Sequence, residues 1–326
     1  NQRLLFACKL LAETDLPVTD VAFAAGFGSV RRFNSAVQEA FGSTPGELRK
    51  RRSAMAKGGA IRLQLQYRPP YDWDGVLDFF ARHSVAGVES VGDNSYRRSV
   101  LVGGERAHFE VTPLSRRDAL QLRVELPDQR RLMPLVASVR RMFDLDANPS
   151  QIADTLAADP VLAELLERFP GIRSPVHWSP FESAVRAIIG QQVSIAAART
   201  VCARLAGACG GEVFPDAASI AALDDSHFPM PGRRRDSLRT LCRAYSGREG
   251  KLDLPGLEAI PGVGPWTRNL VAMRGLASPD EFPPGDLGLV RAWRTAAATG
   301  CEQDKPPAES WRPWRSYAAN LLWRSL

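Results

Sequence analysis

The sequence predicts a mostly α, multidomain α+β protein. A helix-turn-helix fragment is followed by a small antiparallel α+β domain and then by an all-α domain. Three observations favour this order. The length of 326 residues fits two or three domains. Segments that alternate apolar and polar residues are confined to 59–145, and from about 146 onward apolar residues recur at helical spacing. We therefore expect domains at 1–52, 59–145 and 146–326, with a linker at 53–58.

Composition bounds the class of protein. The apolar fraction of 44% and the charged fraction of 24% are ordinary for a globular chain. The net charge of +6 fits a polyanionic partner, although it also fits a protein that is merely basic. No apolar run of eighteen residues and no signal-peptide pattern occur, so we expect a cytoplasmic, nucleoid-associated protein without a membrane span. The chain opens at Asn1 inside an amphipathic run, which indicates a fragment of a longer protein.

Cysteine and histidine do not form a metal-binding pattern. The five cysteines are scattered and include no C-x-x-C pair, and the four histidines lie apart from them. We therefore expect no zinc, no iron–sulfur cluster and free thiols in a reducing compartment.

Two helical runs in the first fifty residues predict the helix-turn-helix. They are separated by Gly26-Phe27-Gly28, and Ser29 is a good N-cap for the second run. The second run carries Arg31, Arg32 and Asn34 on its polar side, where a recognition helix places its DNA contacts. An ordinary helical hairpin fits the same pattern equally well.

The middle of the chain predicts a small antiparallel sheet. The strand candidates are IRLQLQYRPP, SVLVGG, AHFEVTPL and ALQLRVELP. Helices are predicted in YDWDGVLDFFARHSV, before most of these strands, and in LMPLVASVRRMFDL, after them. The basic and small residues of 49–60 are typical of a linker.

Capping signals organise the all-α region. Ser179, Pro180 and Glu182 form a capping box with proline at the first helical position, and Ser194 caps the next run. Further helical runs follow to the end of the chain. No repeat of the solenoid type is present.

The turn Pro261-Gly262-Val263-Gly264-Pro265 lies between two of these runs. Glycine permits a positive φ and close approach of another backbone, and the amides that start the next helix can bind an anion. No G-K-[ST] follows, which excludes a nucleotide P-loop. A tight connection between helices is the simpler interpretation of the turn alone.

Longer stretches extend the interpretation. In order along the chain they include YRPPYDWDGVLDFFARHSVAGVES, FESAVRAIIGQQVSIAAA, IPGVGPWTRNLVAMRGL and WRPWRSYAANLLW. Over about residues 59–325 the sequence resembles the 3-methyladenine DNA glycosylase II (AlkA) family of the helix-hairpin-helix superfamily. The stretch VTDVAFAAGFGSVRRFNSAVQEAFGSTPGELR resembles the second half of an AraC-type helix-turn-helix domain, over about residues 1–52. The whole resembles a fragment of an Ada/AlkA-type fusion.

The resemblance implies a fold and a catalytic carboxylate. The sheet domain would be TBP-like, and Asp286, 22 residues after Gly264, would be the catalytic residue. Asp286 also precedes a helical run, and an N-cap alone would explain an aspartate there. Both roles are compatible, because a helix N-terminus favours negative charge.

The resemblance also assigns the hairpin. Gly262, Val263, Gly264 and Thr267 would contact the DNA backbone. A sodium or potassium ion would bind main-chain carbonyls near Ile260 and Gly262, and no other cofactor would be required.

Aromatic residues are the candidates for a base pocket. The family position points to Trp266 and Trp323, with Tyr317 nearby. Cationic bases are held by the faces of electron-rich rings. Packing in the core is the alternative, and it applies equally to Trp311 and Trp314. Members that also cut the strand carry lysine where this chain has Trp266, so we expect a monofunctional enzyme.

The loop Gly190-Gln191-Gln192-Val193 resembles the family's wedge, which fills the gap that a flipped base leaves. Enteric-type members place leucine at the position of Gln192. A helix-breaking loop without a DNA role is the alternative for Gln191 and Gln192.

Two function classes therefore compete. The first is a glycosylase that removes alkylated, cationic purines such as 3-methyladenine and 7-methylguanine from double-stranded DNA. The second is an AraC-type regulator of the alkylation response whose C-terminal region only binds lesions. We expect a monomer, with a methyl-accepting domain upstream in a longer chain.

Overall fold

The computed structural model describes residues 2–14, 16–41, 44–50, 60–246, 252–297 and 305–326. The predicted linker at 53–58 and Cys301 lie outside the described residues. The chain divides into two compact units, Asn1–Gln66 with Gly92–Arg140, and Tyr67–Val91 with Arg141–Leu326. The units interleave along the chain, because a segment between two strands groups with the C-terminal helices. The linear domain limits given above stay a prediction.

The first unit begins with four helices. Their bounds are α1 (Gln2–Glu13), α2 (Val18–Ala24), α3 (Val30–Phe41) and α4 (Pro45–Lys50). The turn between α2 and α3 contains Gly26 at a φ of +79°. The hydroxyl of Ser29 accepts the N–H of Arg32 at 3.3 Å, which is the predicted N-cap. Phe33 and Val37 of α3 are fully buried. The predicted helix-turn-helix is therefore confirmed.

Five strands form one antiparallel sheet. They are β1 (Ile61–Gln66), β2 (Glu89–Gly92), β3 (Ser95–Val102), β4 (Glu105–Pro113) and β5 (Ala119–Glu125), in the order β1-β5-β4-β3-β2. Leu63 lies opposite Leu122, and Phe109 lies opposite Val124. Buried and exposed residues alternate along β1 and β3, as expected for a half-buried sheet. Strand β2 was not predicted, since its four residues are too few to show a period.

Two helices come from the same stretch of chain as the strands. Helix α5 (Trp73–His83) lies between β1 and β2 in the chain, and its N-cap Asp72 accepts the N–H of Gly75 at 2.8 Å. A 3₁₀ helix (Gln129–Arg131) and α6 (Leu132–Met142) follow β5. Both α-helices are predicted from the sequence.

Ten further helices make up the described residues from 146 onward, where no strand occurs. They are α7 (Pro149–Leu156), α8 (Pro160–Arg168), α9 (Pro180–Gly190), α10 (Ile195–Ala208), α11 (Ala217–Ala222), α12 (Gly232–Tyr245), α13 (Leu254–Glu258), α14 (Pro265–Leu276), α15 (Leu287–Ala297) and α16 (Arg315–Arg324). Ser179 caps α9 by accepting the N–H of Glu182 at 3.1 Å, and Ser194 caps α10 by accepting the N–H of Ala197 at 3.2 Å. The predicted fold class is confirmed. None of the helices in the described ranges combines the length and apolarity that a bilayer crossing requires.

The second unit has two apolar clusters. One surrounds α9, whose Ala184, Val185 and Ile188 are fully buried. The other is built on α15 and α16 and includes Trp293. Helix α14 crosses α9 closely at Gly275, where an added Cβ would lie 2.9 Å from the Cβ of Ser183. This close approach packs the end of α14 against the start of α9.

Candidate functional site

The second unit contains a cavity of about 1190 Å³. Its lining combines the rings of Phe79, Trp266 and Trp323 with the charged groups of Arg274 and Asp286. An apolar pocket with a few convergent polar groups is the usual form of a ligand site.

Both oxygens of Asp286 accept hydrogen bonds. Oδ2 accepts the indole N–H of Trp266 at 2.9 Å. Oδ1 accepts the indole N–H of Trp323 at 3.2 Å and the backbone N–H of Leu289 at 2.9 Å. Asp286 is therefore the N-cap of α15, as predicted, and two tryptophans hold the carboxylate in one orientation.

Arg274 is a buried cation beside this carboxylate. It is 5% exposed, and its guanidinium lies 4.3 Å from the ring centre of Phe79 and 5.2 Å from that of Trp323. One of its nitrogens donates to Oδ1 of Asn320 at 2.7 Å. Burial lowers the pKa of Arg274 to about 9, and the nearby Asp286 opposes this shift. Arg274 thus stays charged at neutral pH, and it packs against the ring of Trp323 in the cavity wall.

Ser237 stabilises the turn between α13 and α14. Its hydroxyl donates to the carbonyl of Pro261 at 2.6 Å. Gly262 adopts a φ of +88°, and a Cβ there would collide with the Ser237 hydroxyl. The N–H of Val263 donates to the carbonyl of Ile260 at 3.0 Å. Glycine at 262 is therefore required by both backbone conformation and space.

Gln191 ties the end of α9 to this turn. Its side-chain nitrogen donates to the carbonyl of Gly262 at 3.0 Å and to the hydroxyl of Thr267 at 2.9 Å. Of the two predicted wedge residues, Gln191 thus faces the hairpin, and Gln192 is exposed at a φ of +56°. Thr267 is only 2% exposed, so its backbone N–H and not its side chain is the group that the predicted phosphate contact would use.

Tyr317 does not line the cavity. It is 5% exposed and belongs to the apolar cluster on α15 and α16, and its hydroxyl is hydrogen-bonded to Asp144. Trp311 is also buried, and its indole N–H donates to Asp159 at 2.9 Å. The structure thus places Tyr317 and Trp311 in the core, where side-chain packing and buried hydrogen bonds explain their presence.

The helix-turn-helix presents a separate polar surface in the first unit. Arg31, Arg32 and Asn34 are exposed on α3. The neighbouring Phe33 points into the core. This division of faces is the one that a recognition helix requires.

The arginines of α12 are partly committed to the fold. Arg235 and Arg239 both pair with Asp225, at 3.1 and 2.6 Å. Arg233, at the start of the helix, is exposed. Two of the arginines of α12 are therefore held by contacts within the protein, and Arg233 is exposed to solvent.

Within the described ranges, no three side chains of His, Cys, Asp or Glu come together in a way that could hold a metal ion. The expected absence of zinc and iron–sulfur clusters stays a prediction.

Three family models match the chain. A helix-turn-helix domain matches residues 1–51, the AlkA N-terminal domain matches 62–179, and the HhH-GPD superfamily base excision DNA repair protein matches 185–315. A probable bifunctional transcriptional activator/DNA repair enzyme AlkA of Mycobacterium tuberculosis is 38% identical over all of this chain and 70% of its own length. DNA-3-methyladenine glycosylase 2 of Escherichia coli is 32% identical over 79% of this chain and 95% of its own.

The chain belongs to the AlkA family.

Solved structures agree on the fold of this AlkA-family chain. A 3-methyladenine DNA-glycosylase from Archaeoglobus fulgidus superposes with a TM-score of 0.65 at 21% identity, over 80% of this chain and 96% of its own. An 8-oxoguanine glycosylase/lyase from Clostridium acetobutylicum gives 0.61 at 16% identity, over 83% and 97%. The predicted family is confirmed.

Sequence reasoning missed most residues of the AlkA-family cavity, among them Phe79, His83 and Arg274. Phe79 and His83 come from α5, far from the hairpin in sequence, and no motif marks them. Burial lowers the pKa of His83 to about 4, so its ring is neutral at pH 7. Its Nδ1 lies 2.7 Å from the carbonyl of Phe79, which only accepts, so the proton is on Nδ1. The other nitrogen, Nε2, is then a hydrogen-bond acceptor.

Proposed function

We propose that this chain is a monofunctional DNA glycosylase of base-excision repair. It hydrolyses the N-glycosidic bond of flipped-out, alkylated, cationic purines such as 3-methyladenine and 7-methylguanine and leaves an abasic site. One observation carries the proposal. A carboxylate, Asp286, is held by two indole N–H groups in the wall of an aromatic cavity.

The chemistry follows from the charge that develops. Breaking the bond between sugar and base builds positive charge on the sugar, and a fixed carboxylate stabilises an oxocarbenium-like transition state. Because hydrogen bonds already orient Asp286, little reorganisation is required when the charge appears. The same carboxylate can orient or deprotonate the attacking water.

The other carboxylates of the cavity support a cationic leaving group. Asp72 accepts the N–H of Gly75 and pairs with Arg324 at 3.1 Å, and Asp78 pairs with Arg82 at 2.7 Å. Both are engaged by a guanidinium and are poor candidates for a general acid. A purine that carries a positive charge leaves as a neutral base and needs no proton from an acid.

The cavity also supports hydrolysis without strand cutting. Strand cleavage by a Schiff base requires an amine nucleophile. The position just past the hairpin holds Trp266, and none of the described residues that line the cavity is a lysine.

The interface with DNA involves the start of α14 and the loop after α9. The first amides of a helix have no partner within it and favour an anion. At α14 these are the amides near Gly264 and Thr267, while Gly262 and Val263 shape the approach. Gln192 is exposed and lines the cavity, and in this proposal it contacts the opened duplex.

A monovalent cation fits the hairpin carbonyls. The oxygen of Ile260 accepts the N–H of Val263, and the oxygen of Gly262 accepts the amide of Gln191. Each carbonyl oxygen keeps a second lone pair, and carbonyl oxygens are ligands that hard cations prefer. A sodium or potassium ion there would add positive charge where a phosphate binds.

A regulatory role is the second candidate. The exposed Arg31, Arg32 and Asn34 of α3 favour DNA binding by the first unit. A relative that matches the whole chain is named as both an activator and a repair enzyme. In this proposal the chain is a monomer on DNA, and a methyl-accepting domain precedes it in a longer protein.

Release of free base tests the proposed function. Methylated duplex DNA is incubated with the protein, and the supernatant is analysed for 3-methyladenine and 7-methylguanine. We expect both bases, abasic sites that break only on alkali treatment, and no borohydride-trapped adduct. A trapped adduct would contradict the monofunctional mechanism. Binding to methylated DNA without base release would favour the lesion-binding regulator.

A further inference from the structure

Exposed apolar side chains line the cavity. Five large ones are exposed in the described ranges: Leu101, Val193, Ile195, Leu287 and Leu326. All except Leu101 line this cavity. Single exposed apolar residues are ordinary on protein surfaces, but four that line one cavity indicate an interaction surface.

Leu287 is the most exposed of these residues, at 83%. It is the first residue of α15 and directly follows Asp286, whose side chain is turned inward by its hydrogen bonds. Helix α15 buries Leu289 and Trp293 instead. Leu287 therefore contributes little buried area to the fold, and its side chain lines the cavity together with Asp286.

The charged residues of the cavity lining indicate which partner Leu287 contacts. Arg82, Arg199 and Arg291 line the same cavity, and Arg199 and Arg291 are exposed. Apolar side chains among arginines match a duplex whose phosphates are anionic and whose base faces are apolar. The loop tip is the polar Gln192, and the apolar residues that follow it, Val193 and Ile195, are 41% and 47% exposed. Leu287, at 83%, is the most exposed apolar side chain of the lining and is therefore the strongest candidate for an apolar filler.

We propose that Leu287 enters the duplex beside the flipped nucleotide and occupies part of the space that this nucleotide leaves. Gln192 then hydrogen-bonds the unpaired base on the opposite strand. This assignment rests on the proposed function, because it requires that a nucleotide is flipped into the cavity.

The test compares excision from two forms of one oligonucleotide. A single 7-methylguanine is placed in a duplex and in the same strand alone, and single-turnover rates are measured. Leu287→Ala should slow excision from the duplex by about 10- to 100-fold. This factor corresponds to the free energy of burying one leucine side chain, which the variant no longer gains in the duplex. Excision from the single strand should change by less than about twofold, because no duplex must be opened. Leu287→Met should restore most of the duplex rate.

Leu101→Ala is the matched control, since Leu101 is an exposed leucine that does not line the cavity. It should leave both rates unchanged. An unchanged duplex rate for Leu287→Ala would overturn the proposal. An equal loss on both substrates would also overturn it, since Leu287 would then support the site itself.

A binding measurement separates this proposal from the proposed function. In an Asp286→Asn background, 2-aminopurine next to the lesion should brighten on binding as its neighbour unstacks, and Leu287→Ala should reduce that rise. If the wild type released no base while this difference persisted, the proposed function would fail and the role of Leu287 would stand. An equal rise with and without the Leu287→Ala substitution would remove the role of Leu287.

Discussion

The two indole N–H groups on Asp286 allow a graded prediction. Trp266→Phe and Trp323→Phe keep an aromatic face and remove only the donor. Among the described residues, Oδ2 of Asp286 accepts a hydrogen bond from Trp266, at 2.9 Å. Oδ1 accepts one from Trp323, at 3.2 Å, and one from the backbone N–H of Leu289, which remains when Trp323 is replaced. A hydrogen bond to a charged group contributes about 1.5–3 kcal/mol, or about 10- to 150-fold in rate. Trp266→Phe should lie in this range, and Trp323→Phe should have the smaller effect.

Single-turnover excision at saturating enzyme measures the chemical step, and titration with lesion DNA measures affinity. We expect the chemical step to slow in both variants, in the order given, with affinity changed less than the rate. The melting temperature is measured for each protein to exclude unfolding. Equal rates with weakened binding would refute the reasoning, because the rings would then act only as stacking surfaces.

Three further predictions concern stability and the hairpin. Burial raises the pKa of Asp144 to about 6, so the native state holds a proton that the unfolded chain releases near pH 4. The contribution of Asp144 to the free energy of unfolding therefore falls as the pH rises from 4 to 6. Asp144→Asn should abolish this fall, which amounts to on the order of 3 kcal/mol at pH 7 and is measured by urea titration. Gly262→Ala should cost about 1–3 kcal/mol by the same assay, whereas Gly264→Ala, with open space and a negative φ, should cost less than about 1 kcal/mol. Gln191→Ala should speed hydrogen exchange of the hairpin amides; unchanged exchange would show that its two hydrogen bonds do not hold the turn.

Local signals predicted most of the helices and their caps. Ser29, Ser179 and Ser194 accept the expected backbone N–H groups, because an N-cap depends on residues within one turn of chain. Strand β2 escaped prediction because its four residues show no alternation. The interleaving of the two units also escaped, since nothing local indicates that Tyr67–Val91 groups with the C-terminal helices.

The site was only partly predictable for the same reason. Asp286 and Trp266 were predicted from the resemblance to the AlkA family, which assigns roles to these positions after the hairpin. Tertiary packing brings Arg274 and His83 into the cavity, and neither composition nor periodicity predicts that packing. Tyr317 shows the reverse case: an aromatic residue near the site in sequence lies in the core, where it packs in an apolar cluster and its hydroxyl is hydrogen-bonded to Asp144.

The most direct test of the account is excision of 7-methylguanine by Asp286→Asn. Asparagine can still cap α15, so the fold should survive while the negative charge is lost. Asp216→Asn is the matched control, because Asp216 caps α11 in the same way, accepting the N–H of Ser219 at 2.8 Å, and does not line the cavity. We predict a loss of at least about 100-fold in the single-turnover rate for Asp286→Asn, and wild-type rates for Asp216→Asn. Wild-type excision by a folded Asp286→Asn protein would contradict the account.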